Sequence, residues 1–179
     1  IKLDWIDDVV RAKRPKRLPV VLTKREVGAL LNAMTGTNAI VAKLLYGTGV
    51  RLMEALRLRI QDVDFEQRQL TVRSGKGDKD RITTLPVSLI DELRQQFRLV
   101  RDIHNNDLAE GYGRVYMPFA LDRKYPKAGL EFGWQYCFPS KTRSTSPRTG
   151  AVGRHHLNEG NIGRAIKTAA RHVGIFKRV

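Results

Sequence analysis
From Tyr46 to Leu58 the chain reads Tyr-Gly-Thr-Gly-Val-Arg-Leu-Met-Glu-Ala-Leu-Arg-Leu, and a strand-like stretch then leads into a basic turn, Ser74-Gly75-Lys76-Gly77-Asp78-Lys79-Asp80-Arg81. This order is restrictive. Two glycines end one apolar helix and allow a tight turn, so the next helix restarts at a fixed place with Arg51 in its first turn. A change from helical to two-residue periodicity follows directly, which makes helix and hairpin neighbours in one mixed domain.

The flanking patterns extend this frame. Thr23-Lys24-Arg25-Glu26 is a capping-box sequence, and Val27, Leu30, Leu31 and Met34 after it fall on one helical face. Residues 39 to 46 form a second, mostly apolar helix, broken by Gly47-Thr48-Gly49 before a third begins near Val50. From Val63 to Leu85 alternation takes over, with Leu70 and Val72 on one strand face and Ile82 near the start of the partner strand. The hairpin is expected to be completed to a small antiparallel sheet by Val63 to Phe65. Ser88 is placed to cap a helix carrying Leu89, Leu93, Phe97 and Val100. Residues 104–133 read as an insertion, with a short helical candidate from Pro118 to Tyr125. Trp134 to Pro139 reads as a short buried strand and Ser140 to Gly153 as a polar loop. The final helix spans about 159–173, with Ile162, Ala165, Ile166, Ala169 and Val173 inward, Arg164, Lys167 and Arg171 outward, and Gly174 at its C-terminal cap. The expected fold is mainly α with a small antiparallel β-sheet, one domain over residues 20–179 behind a basic linker tail at 1–19.

Charge narrows the partner. The chain has 33 basic against 18 acidic residues, a formal net charge of +15, which favours a polyanion. With 41% hydrophobic residues it is no disordered basic tail. No segment approaches the roughly 20 apolar residues that span a bilayer, so no membrane partner is expected. Cys137 is the only cysteine, which points to a reducing, cytoplasmic setting. A ribosomal protein or another noncatalytic nucleic-acid-binding domain would share this charge bias.

The cations at the two motifs suit phosphodiester chemistry. Arginine donates a planar fork to non-bridging oxygens and stays charged, and Arg51 sits where a helix start also favours an anion. The plainer alternative is that Arg51 pairs with Glu54 on a solvated face. A lysine brought close to a phosphate can protonate a departing hydroxyl, and Lys76 lies between two glycines at a hairpin tip. A solvated surface turn is the plainer reading there. Arg154-His155-His156 invites a metal reading, but adjacent histidines are expected to point in different directions and no cysteine or carboxylate cluster supports them. Trp134, inside an apolar stretch, is equally readable as core packing.

Taken together, Thr48-Gly49-Val50-Arg51 with Glu54, followed by Gly75-Lys76-Gly77 with Lys79 and Arg81, resembles the catalytic core of the tyrosine recombinases. Trp134-Gln135-Tyr136, Ser146-Pro147-Arg148, the His155-His156 pair and the insertion around Pro118 to Lys127 narrow the resemblance to integron integrases. A phage- or Xer-type recombinase is the runner-up. The resemblance implies that Arg51 and Lys76 are catalytic and that Glu54 orients them. It implies DNA contacts from Lys79, Arg81, Trp134, Pro147, Arg148, His155 and His156, and the basic face of Arg164, Lys167 and Arg171 joins them. It further implies strand cleavage through a 3′-phosphotyrosyl intermediate without cofactor or metal, on duplex sites and on folded single-stranded sites with extrahelical bases, by a homotetramer. The family's second arginine box and nucleophilic tyrosine are expected beyond Val179, so none of Tyr46, Tyr112, Tyr116, Tyr125 or Tyr136 takes that role. The 179-residue piece alone is expected to bind DNA without cutting it.

Overall fold
A computed structural model describes residues 20–73, 75, 79–117, 121–146 and 150–177. The basic tail at 1–19, Lys76, Pro147 and Arg148 lie outside the described residues. The first helix, α1 (Lys24–Asn32), opens on the predicted capping box: Thr23 Oγ1 accepts from the Glu26 amide and Glu26 accepts from the Thr23 amide. The second, α2 (Gly36–Thr48), is longer than its apolar stretch and closes on Gly49, whose φ of 67° is the left-handed conformation that glycine adopts without strain. Helix α3 (Leu52–Leu56) follows at once.

The expected sheet is present. Strands β1 (Val63–Asp64), β2 (Gln69–Val72) and β3 (Arg81–Thr84) pair antiparallel in the order β1-β2-β3, with Leu70 opposite Thr83 and Val72 opposite Arg81. Leu70 and Val72 are buried, while Ile82 faces out. Entry into α4 (Ile90–Ala109) differs from expectation. The chain enters through a 3-10 turn at Val87–Leu89, and no side chain caps the helix, so Ser88 is not its cap. Helix α4 also runs to Ala109, which moves the first residues of the expected insertion into a regular helix.

Beyond α4 the stretch expected to be an insertion contains α5 (Leu121–Lys124) and two 3-10 turns, Ala128–Leu130 and Phe132–Trp134. The expected strand at 134–139 is not a strand of either sheet. Trp134 ends a 3-10 turn, and Tyr136 and Pro139 each form a single bridge, to Arg59 and His156. Tyr136, Cys137 and Phe138 are nonetheless buried as anticipated. The polar loop holds a two-stranded ladder, β4 (Ser144–Thr145) with β5 (Val152–Gly153). Helix α6 (Glu159–His172) is capped by Asn158 and leaves through Gly174 at φ 72°.

Helices α2 and α6 hold the domain together because each feeds two clusters. Ile40, Val41 and Leu44 of α2 join Ile162 of α6, Leu70, Val72 and Phe138 in the main core. Ala39 and Ala42 of α2 join Ala169 and Ala170 of α6 beneath Leu30 and Met34. Small residues on the second face let α1 and α6 lie close to α2.

Candidate functional site
Glu54, at the first turn of α3, organises the cations around it. Its carboxylate accepts from the Arg51 amide at 2.8 Å and from Arg51 Nη1 at 2.8 Å. From the sheet, Arg81 lays its guanidinium across the same carboxylate, with Nη1 at 3.1 Å and Nη2 at 2.6 Å. The hydrogen bond from Arg81, opposed by desolvation and aided by the Arg51 amide, pulls the Glu54 carboxyl down to about 2, so it stays ionised at any working pH. Glu54 is only 9% exposed whereas the Arg51 side chain is 58% exposed. The carboxylate is therefore a buried strut, and Arg51 remains open to a ligand.

The described ends of the basic turn pair with each other beside Arg81. The Gly75 amide donates to the Lys79 carbonyl at 3.0 Å, and a Cβ at Gly75 would stand 2.7 Å from Arg81 Nη1. A side chain there would have to displace the guanidinium or crowd the Lys79 carbonyl, so glycine suits the position. Gly49, Arg51, Lys79 and Arg81 line one open pocket of about 400 Å³. Arg51 thus makes the pair with Glu54 that the plainer reading expected, and its exposed side chain also lines the basic pocket.

A second cluster lies past the other end of α3, around Arg59, eight residues after Arg51. Arg59 is buried with its Cζ 3.7 Å above the Tyr136 ring, and it donates to the Trp134 carbonyl at 2.8 Å and the Tyr116 carbonyl at 2.9 Å. Tyr136 lies 5.4 Å from each of His155 and His156. The two histidines, expected to point apart, have ring centroids 4.0 Å apart; His156 sits in a single bridge to Pro139, outside any helix or strand. Burial lowers both histidine pKa values, and Arg57 and Arg59 push in the same direction. Neutral, partly exposed rings suit stacking better than phosphate pairing. Burial pushes the Tyr136 phenol up, so it is no poised nucleophile. Among the described residues no group of His, Cys, Asp or Glu could hold a metal ion.

Trp134 is half-buried, neither a core residue nor free, and its backbone is tied to Arg59. Arg164, Lys167 and Arg171 are all exposed on α6. Three residues to which the sequence assigned no structural role are buried or half-buried in ion pairs or ring contacts: Arg59, Asp107 and Arg154. For Asp107 the signal existed, since Val100, His104 and Asp107 continue the inward face of α4 at helical spacing.

A family model described as the phage integrase family matches residues 20–179. The chain belongs to the phage integrase family. Similar proteins within it include an "Integrase/recombinase" from Escherichia coli and one from Pseudomonas aeruginosa, each 45% identical over 98% of this chain and 52% of the relative. A "Tyrosine recombinase XerA" from Thermococcus kodakarensis is 33% identical over 93% of this chain and 60% of the relative. A crystal structure of XerA recombinase superposes with a TM-score of 0.55 at 27% identity, covering 95% of this chain and 48% of that one. The chain thus spans about half the length of the integrase/recombinase relatives it matches. Family membership removes the ribosomal explanation of the charge. No described helix is long and apolar enough to cross a membrane.

Proposed function
We propose that this chain is the part of an integron-type tyrosine recombinase that grips the scissile phosphodiester and the folded DNA around it. The observation that carries this reading is the Glu54 strut, which draws Arg51, Arg81 and the root of the hairpin around one open basic pocket. In this reading Arg51 donates to the non-bridging oxygens as the tyrosine oxygen supplied by the whole recombinase attacks phosphorus. The 5′-oxygen leaves and takes a proton from Lys76, giving a 3′-phosphotyrosyl link that rejoining reverses. The energy of the broken bond is kept in the new one, so neither nucleotide nor metal is required. Lys79, Pro147, Arg148 and the α6 cations contact the DNA, and Trp134 with the neutral His155-His156 pair receives extrahelical bases of a folded strand. Assembly as a homotetramer on DNA belongs to the same reading.

Two substitutions in the whole recombinase test it. Arg51→Ala should leave DNA affinity nearly unchanged while cleavage falls by orders of magnitude, since one preorganised electrostatic contact contributes about 2.7 to 4 kcal/mol to such a transition state. Undiminished cleavage would remove Arg51 from the chemistry. Trp134→Ala should weaken binding of a hairpin with extrahelical bases by tenfold or more, because stacking is worth about 1 to 3 kcal/mol per base, and should change binding of the paired duplex little. Equal losses on both would make Trp134 structural, and equal wild-type affinity for both substrates would favour the Xer-type reading that the XerA likeness also supports.

A further inference from the structure
The end of α4 meets the roots of the β4–β5 hairpin through one carboxylate. Asp107, 7% exposed, accepts from Arg154 Nε at 2.6 Å and Arg154 Nη2 at 2.8 Å. The same guanidinium donates from Nη1 to the Ser140 carbonyl at 2.9 Å and the Lys141 carbonyl at 2.7 Å. One arginine therefore ties the chain leaving for the hairpin to the chain returning from it. Arg143 reinforces the joint, with Nη2 on Glu110 at 2.7 Å, Nη1 3.6 Å from Asp107, and its Cζ 4.3 Å above the Tyr112 ring. The next residue after Arg154 is His155, whose carbonyl accepts from the Ser140 amide.

We propose that Asp107 is a positioning residue for the DNA-contacting surface, acting through Arg154 to fix the hairpin roots and the His155-His156 pair. The claim that this surface meets DNA rests on the function proposed above; the positioning itself does not. A carboxylate is needed because it answers the two N–H groups on one edge of the guanidinium while the remaining nitrogen bridges backbone carbonyls. An amide of the same shape has one acceptor oxygen and no charge, so Asp107→Asn keeps the volume and breaks the fork.

Asp107→Asn in the whole recombinase, with Arg154→Lys as the companion that keeps the charge and loses the fork, gives two readouts. Limited trypsin digestion should cut after Lys141 and Arg143 roughly tenfold faster than in wild type, the scale of coupling within one ion-pair network, while cuts elsewhere keep their rates. Unchanged cutting in both variants, or faster cutting everywhere, would overturn the positioning role. Affinity for a folded strand with extrahelical bases should fall in Asp107→Asn, and the fall should vanish in a His155→Ala background, where the positioned surface is already lost. Full additivity of the two losses would also overturn it. If His155→Ala leaves affinity unchanged, the DNA reading of the histidines fails, and the digestion still decides whether Asp107 positions the hairpin.

Discussion

Glu54 illustrates what one residue does by being ionised and nearly buried. Its folded pKa of about 2 lies below the ordinary carboxylate value, so its contribution to stability is full above about pH 4.5 and is lost as pH falls through the folded value. Glu54→Gln should therefore destabilise the chain at pH 6, and the gap between variant and wild type should close as pH falls toward 2; denaturant melts at several pH values read this directly. A gap that stays constant with pH would mean that the effect does not come from the ionisation of the carboxylate. Arg51 and Glu54 were legible in the sequence as an i,i+3 pair, and Lys79 and Arg81 as cations in one turn. That Arg81 would lie across Glu54, 27 positions away, was not, because no local force specifies which carboxylate a strand cation reaches.

At the scale of elements, glycine placement separates two kinds of helix surface. Gly47 is in the last turn of α2, where an added Cβ would sit 2.7 Å from Pro86 Cγ, whereas Gly163 in the middle of α6 has nothing within 4 Å of that position. Alanine is the better helix former at either site by about 0.5 to 1 kcal/mol. Gly163→Ala should therefore raise the melting temperature. Gly47→Ala should lower it, because overpacking against a stiff proline ring costs about 1 to 3 kcal/mol and exceeds the propensity gain. Thermal melts of the two variants check the pair of signs. Local chemistry made α1, the break before α3, the three-stranded sheet and α6 readable in advance. It failed at Ser88, where a 3-10 turn replaced the side-chain cap, and at 134–139, where two single bridges stand in place of a strand. An apolar stretch signals burial whichever backbone shape delivers it.

Across the whole molecule the net charge of +15 favours a polyanion, and the number of phosphates contacted sets how binding responds to salt. Affinity of this chain for DNA should fall linearly on a log-log salt plot with a slope near 0.9 per phosphate contacted. Replacing Arg164, Lys167 or Arg171 with alanine should each reduce that slope by about 1 if the α6 face contacts phosphates. Titrations at several salt concentrations measure it, and an unchanged slope would take α6 off the interface. Interactions among near neighbours and composition were enough to fix α1 with its capping box, the break before α3, α6 with its glycine exit, the hairpin with its buried face, and the charge. Long-range packing was needed to bring Arg51 and Arg81 together on Glu54, to set the two histidine rings against one another beside Tyr136, and to give Asp107 its grip on Arg154. Such partners are far apart in the chain, and they meet only when the main core and the cluster beneath α1 are packed, at a loop-closure cost that no local pattern records.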